Sequence, residues 1–387
     1  MNSRLIALGL AGALLTAPAG AAEPVKIGMI TTLSGGGSAL GIDIRDGFAL
    51  AIGQEGDSLG GVPVELIAED DGRKPEKATE IANRMVERDK IGIMTGIVWS
   101  NLAIAVVPKV TEKGVFYISP NAGPSKLAGA GCSPNYFNVA WQNDNLHEAM
   151  GQYVTEKGFK NVYILAPNYP AGKDALTGFK RFYKGDLAGE VYTKLGQTDY
   201  AAEIAALRGA KPDAVFFFLP GGMGISFLKQ YAQAGLTDKV PVFGPAFSFD
   251  QTILGAVGDA ALGVINSSQW NKDIDNPANA AFVADFQKAY GRLPSLYASQ
   301  GYDAARLIGS ALMAVGGDVS NADGFRTALK KADFASVRGK FRFGANNHPV
   351  QDIYVRQVVK EGDVLTNKII ATAFTDHADA YAAECKM

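Results

Sequence analysis

Short apolar runs alternate along this chain with segments of helical periodicity, and this alternation is the strongest constraint on its fold. Residues 25–31, 62–68 and 115–118 are mostly apolar, which is typical of strands buried on both faces of a sheet. Between them, the segment that starts at Pro75 repeats apolar residues at the i, i+3 and i+4 spacing of a helix packed on a sheet. The pattern predicts an α/β fold with parallel sheets that are covered by helices on both faces.

The alternation restarts near residues 141–145, which predicts a second α/β unit. Its strands are the runs 162–166, 190–195, 214–219 and 240–243. A long helical stretch follows after residue 272, before the chain returns to strand-like segments. A doubly wound unit ends in such helices only if they return to cover the first unit, so we expect two lobes joined by several crossings. The length of 387 residues agrees with two domains.

Two loops of small residues, 95–100 and 118–125, follow neighbouring strands of the first unit. Ligands of open α/β sheets bind where such loops gather, at the carboxyl ends of the strands. Ser100 is placed to be the N-cap of a helix that begins at Asn101, so its hydroxyl lies at a positive helix end that can hold a small carboxylate. The alternative is that Ser100 only caps the helix and that residues 118–125 form only a tight turn.

Nucleotide and metal sites are not supported by the sequence. The glycine-rich stretch 32–41 lacks the dinucleotide spacing, because Leu40 stands where G-x-G-x-x-G requires its third glycine. The adjacent acids Asp70 and Asp71 have no further oxygen ligands at regular spacing, so we expect a solvated turn there. We therefore predict no metal and no cofactor. The net charge of −2 at pH 7 argues against nucleic acid as a partner.

The first 22 residues have the features of a secretory signal peptide. Arg4 supplies the positive start, residues 5–15 the apolar core, and residues 19–22 the small side chains of a cleavage site. We expect cleavage after about Ala22 and an exported, soluble mature protein. We expect no direct membrane insertion either, because no further stretch reaches the length of a membrane span.

The sequence contains two cysteines, Cys132 and Cys385. In an oxidising compartment an even count favours one disulfide, which here ties the end of the chain to the region after the loop 118–125. The alternative is a pair of free buried thiols. The sequence does not indicate a catalytic cysteine, because no histidine lies in a loop suited to activate a cysteine nucleophile.

Several short motifs occur in an order that points to a known family. They are Ile27-Gly28 leading to Leu33-Ser34-Gly35 and Gly41, Glu69-Asp70-Asp71 before Lys74-Pro75, Ile118-Ser119-Pro120, Gly244-Pro245, and Gly301-Tyr302-Asp303-Ala304-Ala305. With these motifs the chain resembles the periplasmic solute-binding proteins of ABC importers, in the leucine/isoleucine/valine-binding family. The resemblance covers nearly the whole mature chain. It implies a periplasmic location, and it implies importer membrane subunits as partners; we also expect a monomer.

The resemblance also implies the type I periplasmic binding fold, in which two α/β lobes close over a ligand and are joined by three hinge crossovers. Those crossovers map near residues 141–145, 269–273 and 343–351. The predicted division gives residues 23–143 plus 272–345 to the first lobe, residues 144–271 plus 346–375 to the second lobe, and residues 376–387 to a C-terminal tail.

In amino-acid-binding members of the family, a serine and backbone groups hold the ligand carboxylate. The resemblance places these roles on Ser100 and on Asn121, Ala122 and Gly123. The ligand ammonium is held in such members by an acid just after Gly-Pro, and here that position is Ala246. A buried ammonium without a counter-charge costs several kcal/mol, so a free α-amino acid is disfavoured.

The predicted cleft instead combines aromatic side chains with small residues that leave room for a flat ring. We therefore predict an aromatic carboxylate of the benzoate, hydroxybenzoate or phenylpropenoate kind as the ligand. The alternative ligand is a branched-chain or other aliphatic amino acid or an amide, and the alternative role of each aromatic residue is core packing. The predicted ligand contacts are Leu40, Trp99, Ser100, Asn121, Ala122, Gly123, Tyr169, Ala171, Gly221, Gly222, Ala246 and Phe247.

A secreted enzyme is the main competing class of protein. Only three histidines are present, and none lies with a serine or cysteine in a nucleophile context such as G-x-S-x-G. We therefore predict a binding protein and not an enzyme. The ligand-sensing ectodomain of a receptor is a second competitor, but it requires a membrane anchor or a partner domain, which we do not expect here.

Overall fold

Two sheets organise the part of the chain that the computed structural model describes, residues 23–387. The predicted signal peptide, residues 1–22, lies outside the described residues. Among the described helices, none is both long enough and apolar enough to cross a membrane.

The first sheet belongs to the N-terminal unit and has six strands. In chain order the unit consists of β1 (Val25–Thr31), α1 (Ser38–Gln54), β2 (Ser58–Leu59), β3 (Val62–Asp70), α2 (Pro75–Glu87), β4 (Ile93–Thr95), α3 (Ser100–Glu112), β5 (Phe116–Ser119), α4 (Ser125–Ala128) and β6 (Tyr136–Asn138). The strand order is β2-β3-β1-β4-β5-β6, and all pairs are parallel except β2 with β3. The central strand β1 is buried over its last five residues, as the apolar run predicts.

The second sheet follows a crossing at residues 139–144. Its unit begins with α5 (Asn145–Glu156), β7 (Asn161–Pro167), α6 (Pro170–Phe182), β8 (Asp186–Thr193), α7 (Ala201–Ala210), β9 (Ala214–Phe217), α8 (Gly222–Gln233), β10 (Val242–Pro245), α9 (Gln251–Val257) and β11 (Ile265–Ser268). The chain then forms α10 (Pro277–Tyr290), α11 (Leu296–Ala314) and α12 (Ala322–Lys331), and it ends with β12 (Arg342–Phe343), β13 (Pro349–Glu361) and β14 (Val364–His377). The sheet order is β12-β13-β11-β10-β9-β7-β8, with β14 paired to β13.

The long helices after β11 return to the first unit. Helix α11 packs along α1, and α12 packs on α11. The chain therefore crosses between the units after β6, after β11 and after α12. The predicted fold, two α/β lobes with parallel-rich sheets joined by three crossovers, is confirmed.

Two details of the strands bear on the predicted domain division. Strand β12, which lies within the residues assigned to the first lobe, pairs with β13 of the second sheet. Strand β14 continues to His377, which pairs with Gln351, so the first two residues of the predicted tail are still in the sheet.

The remaining tail is fixed to both lobes. Cys132, just before β6, forms a disulfide with Cys385, as predicted. The hydroxyl of Tyr381 donates a hydrogen bond to Asp144 Oδ2 at 2.9 Å, beside the crossing between β6 and α5. The end of the chain therefore packs against the hinge and is bonded to the first lobe.

A buried ion pair joins the returning helices to the hinge. Arg338 Nη2 lies 3.0 Å from Asp303 Oδ2, and both side chains are almost fully buried. Arg338 Nη1 also donates to the carbonyl oxygen of Ala140 at 3.2 Å and to Gln351 Oε1 at 2.8 Å. Because Ala140 and Gln351 lie in or next to two different crossings, this guanidinium holds two hinge segments together.

Arg338→Met should destabilise the fold strongly, because it leaves the Asp303 carboxylate buried without its counter-charge. Removing one partner of a buried pair costs about 3 to 5 kcal/mol in the free energy of unfolding, measured by urea denaturation. The matched control is Lys331→Met, whose partner Asp333 forms an exposed pair with it at 2.7 Å; it should cost less than about 1 kcal/mol. Equal losses in the two variants would contradict this role of Arg338.

Candidate functional site

A cavity lies between the two lobes, at the carboxyl ends of strands from both sheets. About 370 Å³ of space at this site, including space open to solvent, is not filled by protein atoms. The residues that line it come from the first lobe, the second lobe and the first crossing: Leu40, Val98, Trp99, Ser100, Asn121, Ala122, Trp141, Asn143, His147, Tyr169, Ala171, Phe218, Pro220, Phe247 and Tyr297.

Most of the residues proposed from the sequence lie on this lining. The structure brings together Leu40, Trp99, Ser100, Asn121, Ala122, Tyr169, Ala171 and Phe247. The other four, Gly123, Gly221, Gly222 and Ala246, lie next to lining residues and do not themselves line the cavity. Ala246 is fully buried and begins the short 3-10 turn that carries Phe247.

Five helices begin at the cavity and contribute a residue of their first turn to its wall. These residues are Leu40 in α1, Ser100 in α3, His147 in α5, Ala171 in α6 and Tyr297 in α11. The first N–H groups of a helix have no partner within the helix, and they carry a partial positive charge. The arrangement favours an anion in the cavity and disfavours a cation.

Ser100 differs in detail from its predicted role. It is the first residue of α3, and Trp99 takes the N-cap position. Its hydroxyl accepts a hydrogen bond from Asn143 Nδ2 at 3.1 Å and makes no capping bond to its own helix. The difference is one residue in the helix start, and it leaves the hydroxyl on the cavity wall.

Asn143 connects the two lobes behind Ser100. Its Nδ2 also donates to Asp174 Oδ2 in α6 at 2.9 Å, and its Oδ1 accepts from the backbone N–H of Gly123 at 3.2 Å. Asp174 in turn accepts from the N–H and the hydroxyl of Ser125 in the first lobe, at 3.0 and 2.7 Å. The Asp174 carboxylate therefore accepts three hydrogen bonds from protein groups, and Asp174 is not among the residues that line the cavity.

Trp99 is held in place by a chain of polar contacts in the first lobe. Its indole Nε1 donates to Thr32 Oγ1 at 2.9 Å, and that hydroxyl donates to Asp71 Oδ1 at 2.8 Å. Asp71 is fully buried, so the predicted solvated turn is wrong for this residue. Arg73 lies over the outer face of the Trp99 ring, 4.7 Å from its centroid, which adds positive charge near the cavity.

Aromatic rings form most of the remaining wall. The Trp141 and Phe247 rings are 4.5 Å apart, and Phe218 lies 5.5 Å from Phe247. The ring of Tyr169 stacks on that of Phe218 at 6.3 Å. Burial raises the pKa of Tyr169, so its phenol keeps its proton and remains a hydrogen-bond donor.

Several lining residues were not proposed from the sequence. His147, Asn143, Trp141 and Tyr297 lie in a crossing or in the first turn of a helix, where no local pattern marks a ligand contact. Phe218 directly follows β9. It belongs to an apolar run, which indicates a buried strand but not which of its side chains reach the cavity.

His147 is buried and neutral. Its Nδ1 lies 2.6 Å from the carbonyl oxygen of Asn143. Burial lowers the pKa of His147 to about 4, because the charged imidazolium loses its hydration.

No acidic or basic side chain other than this neutral histidine is present among the described residues that line the cavity. Within residues 23–387, no cluster of three or more His, Cys, Asp and Glu side chains is arranged to hold a metal ion. The lining is thus suited to hydrogen bonding and ring contacts.

The lobes also touch at the mouth of the cavity, through the paired glycines at the start of α8. Gly221 has φ of +61°, a conformation that favours glycine. A Cβ atom on Gly221 would lie 3.0 Å from the carbonyl oxygen of Gly36 in the first lobe, and one on Gly222 would lie 3.4 Å from it. The structure is therefore a closed arrangement, in which the second lobe approaches the glycine-rich stretch of the first.

His147→Phe should remove part of the acid sensitivity of folding. Between the unfolded pKa of about 6.5 and the folded pKa of about 4, the unfolded chain binds a proton that the folded protein does not, so stability falls as pH falls. Relative to His147→Phe, the native protein should lose about 2 kcal/mol of unfolding free energy between pH 7.5 and pH 5, measured by urea denaturation at each pH. Parallel losses in both proteins would show that His147 titrates normally.

The chain matches the profile of a family described as periplasmic binding protein over residues 24–363. A curated relative, "Leu/Ile/Val-binding protein homolog 6" of Brucella melitensis biotype 1, is 27% identical over 368 residues, which cover 92% of this chain and 94% of the relative.

Two solved structures are similar over nearly their whole length. An ABC transporter solute-binding protein from R. palustris, in complex with benzoate, is 32% identical with a TM-score of 0.89, and the match covers 94% of this chain and 100% of that chain. A solute-binding protein of an ABC transporter from Rhodopseudomonas palustris BisB5, in complex with 3,4-dihydroxy benzoic acid, is 31% identical with a TM-score of 0.85, covering 92% of this chain and 99% of that chain.

Proposed function

Because this chain belongs to the periplasmic binding protein family, we propose that it is the extracytoplasmic solute-binding component of an ABC importer, with an aromatic carboxylate as its ligand. The ligand class is benzoate, a hydroxybenzoate or a phenylpropenoate. The observation that carries this proposal is the cavity wall, which combines helix N-termini and aromatic rings and has no acidic side chain among its described residues. The two solved relatives described above, with bound benzoate and 3,4-dihydroxy benzoic acid, support the same ligand class.

The electrostatic character of the cavity wall favours an aromatic acid over an α-amino acid. A carboxylate gains from the first-turn N–H groups of α3 and from the Ser100 hydroxyl. An α-amino acid brings an ammonium as well, which needs a buried counter-charge to offset its lost hydration. Position 246, where amino-acid-binding members carry an acid, is an alanine, and Asp174 is occupied by Ser125 and Asn143.

The aromatic side chains of the cavity wall favour a ligand with a flat, apolar ring. Trp99, Tyr169, Phe218 and Phe247 contribute to both sides of the cavity, and the small Ala171 leaves space beside Tyr169. Aromatic pairs gain about 0.5 to 1.5 kcal/mol beyond the burial of their area. A benzoate ring can make several such contacts at once, whereas an aliphatic chain cannot.

Capture follows from the two-lobe architecture. In the open protein the walls are apart, and a ligand that contacts both of them stabilises the closed form by its difference in affinity for the two states. Closure brings the α8 glycines against Gly36 and presents a surface shared by both lobes to the membrane subunits of the importer. The mature protein acts in the periplasm after cleavage of residues 1–22, and no catalytic step is part of its role.

Titration calorimetry of the purified mature protein tests the ligand class directly. Benzoate, its hydroxylated forms and cinnamate should include at least one compound that binds in the micromolar range or tighter, about −8 kcal/mol. Leucine, isoleucine and valine should give no heat of binding. Tight binding of leucine without binding of any aromatic acid would replace this ligand class by the aliphatic amino acids.

Ser100→Ala should weaken binding of the aromatic acid by about 1 to 3 kcal/mol, because it removes a hydrogen bond to a charged group. The dissociation constant is the quantity measured. The control is Ser310→Ala in α11, whose hydroxyl donates only to the carbonyl of Leu307 at 2.9 Å; it should bind like the native protein. Unchanged affinity in Ser100→Ala would remove this residue from the carboxylate site.

A further inference from the structure

One buried polar atom of a lining residue has no hydrogen-bond partner. Among the described residues, the Nε2 atom of His147 is buried and makes no hydrogen bond. His147 is one of the residues that line the cavity. Native proteins satisfy about nine in ten buried polar groups or more, so an unpaired one at a binding site points to a partner that the ligand supplies.

The other ring nitrogen determines what Nε2 can do. The carbonyl oxygen of Asn143, 2.6 Å from Nδ1, can only accept a hydrogen bond, so the proton of the neutral imidazole is on Nδ1. Nε2 therefore carries a lone pair and is an acceptor. A carboxylate oxygen or an ether oxygen cannot satisfy it, whereas a hydroxyl group can.

The aromatic rings that pack on the imidazole do not supply that donor. The rings nearest to His147 are those of Phe218 at 5.1 Å, Phe216 at 6.0 Å and Phe247 at 6.0 Å. None of the three has an O–H or N–H group on its side chain. A ligand hydroxyl that lies against these three apolar rings loses its hydration on binding and regains a hydrogen bond at His147 Nε2.

On the basis of the proposed function, we propose that the preferred ligand is a hydroxylated aromatic acid. His147 Nε2 accepts the hydrogen bond of the ligand's ring hydroxyl. His147 is thus a residue that determines specificity among aromatic acids. Benzoate leaves Nε2 unpaired, and a methoxybenzoate brings an oxygen without a hydrogen.

Asn143 contacts both polar groups that would hold the ligand, the Ser100 hydroxyl and the His147 imidazole. Its side chain donates to Ser100 Oγ at 3.1 Å, next to the carboxylate position, and its carbonyl fixes the proton of His147. The two anchors are therefore held by one residue of the hinge crossing. A fixed separation of the anchors selects one position of the hydroxyl on the ring.

Calorimetry with benzoate, the three monohydroxybenzoates and 4-methoxybenzoate tests this assignment. In the native protein, one hydroxybenzoate isomer should bind at least tenfold more tightly than benzoate, and methoxybenzoate should not. In His147→Phe, the ratio of the affinity for that hydroxybenzoate to the affinity for benzoate should fall to about one. In Ser100→Ala, both affinities should fall while their ratio stays as in the native protein.

The outcomes separate this inference from the function on which it rests. If benzoate binds as tightly as every hydroxybenzoate, or if the preference persists in His147→Phe, the role of His147 is wrong and the binding of aromatic acids stands. If no aromatic acid binds the native protein, the proposed function and this inference both fail.

A second measurement needs no variant at all. The chain has three histidines, and in ¹⁵N-histidine-labelled protein the Nε2 resonance of His147 should shift further with the preferred hydroxybenzoate than with benzoate. His348 is an internal control, because its Nε2 is also buried without a partner and it does not line the cavity. Identical His147 spectra with the two ligands would overturn the assignment.

Discussion

The convergence of helix N-termini on one cleft is the constraint on which the rest of this structure depends. Parallel strands place all their carboxyl ends on one edge, so the helices that follow them begin there, with their unpaired N–H groups facing the same space. Four of these helices, α1, α3, α5 and α6, reach the cavity wall, and so does the first turn of α11, which follows α10. Their summed dipoles provide a positive potential without any buried lysine or arginine, and so without the desolvation cost of a buried cation.

A second consequence concerns the hinge, which contributes to recognition as well as to motion. Asn143 lies in the first crossing and bonds to Ser100 in one lobe and to Asp174 in the other. Rotation of the lobes must change one of these bonds, so the polar end of the site is complete only when the lobes are closed. Ligand binding and closure are therefore coupled through the same side chain.

The sequence predicts the fold and about half of the site for identifiable physical reasons. The alternation of apolar strands and amphipathic helices is a local pattern, and residues at strand ends, such as Trp99 and Ser100, can be placed from it. His147, Asn143 and Phe218 could not be placed, because their contact with the cavity depends on how the lobes close and not on their neighbours in sequence. Asp71 shows the same limit, since its burial involves a contact with Thr32, which is distant in sequence.

The bond between Cys132 and Cys385 adds a covalent link to the three crossings of the hinge. It runs from the first lobe to the segment that leaves the last strand of the second, so the molecule is tied at four points around its pivot. Such a tether limits how far the lobes can swing apart and leaves the closed geometry as it is. Reduction of this bond would leave only the three crossings to limit the opening of the lobes.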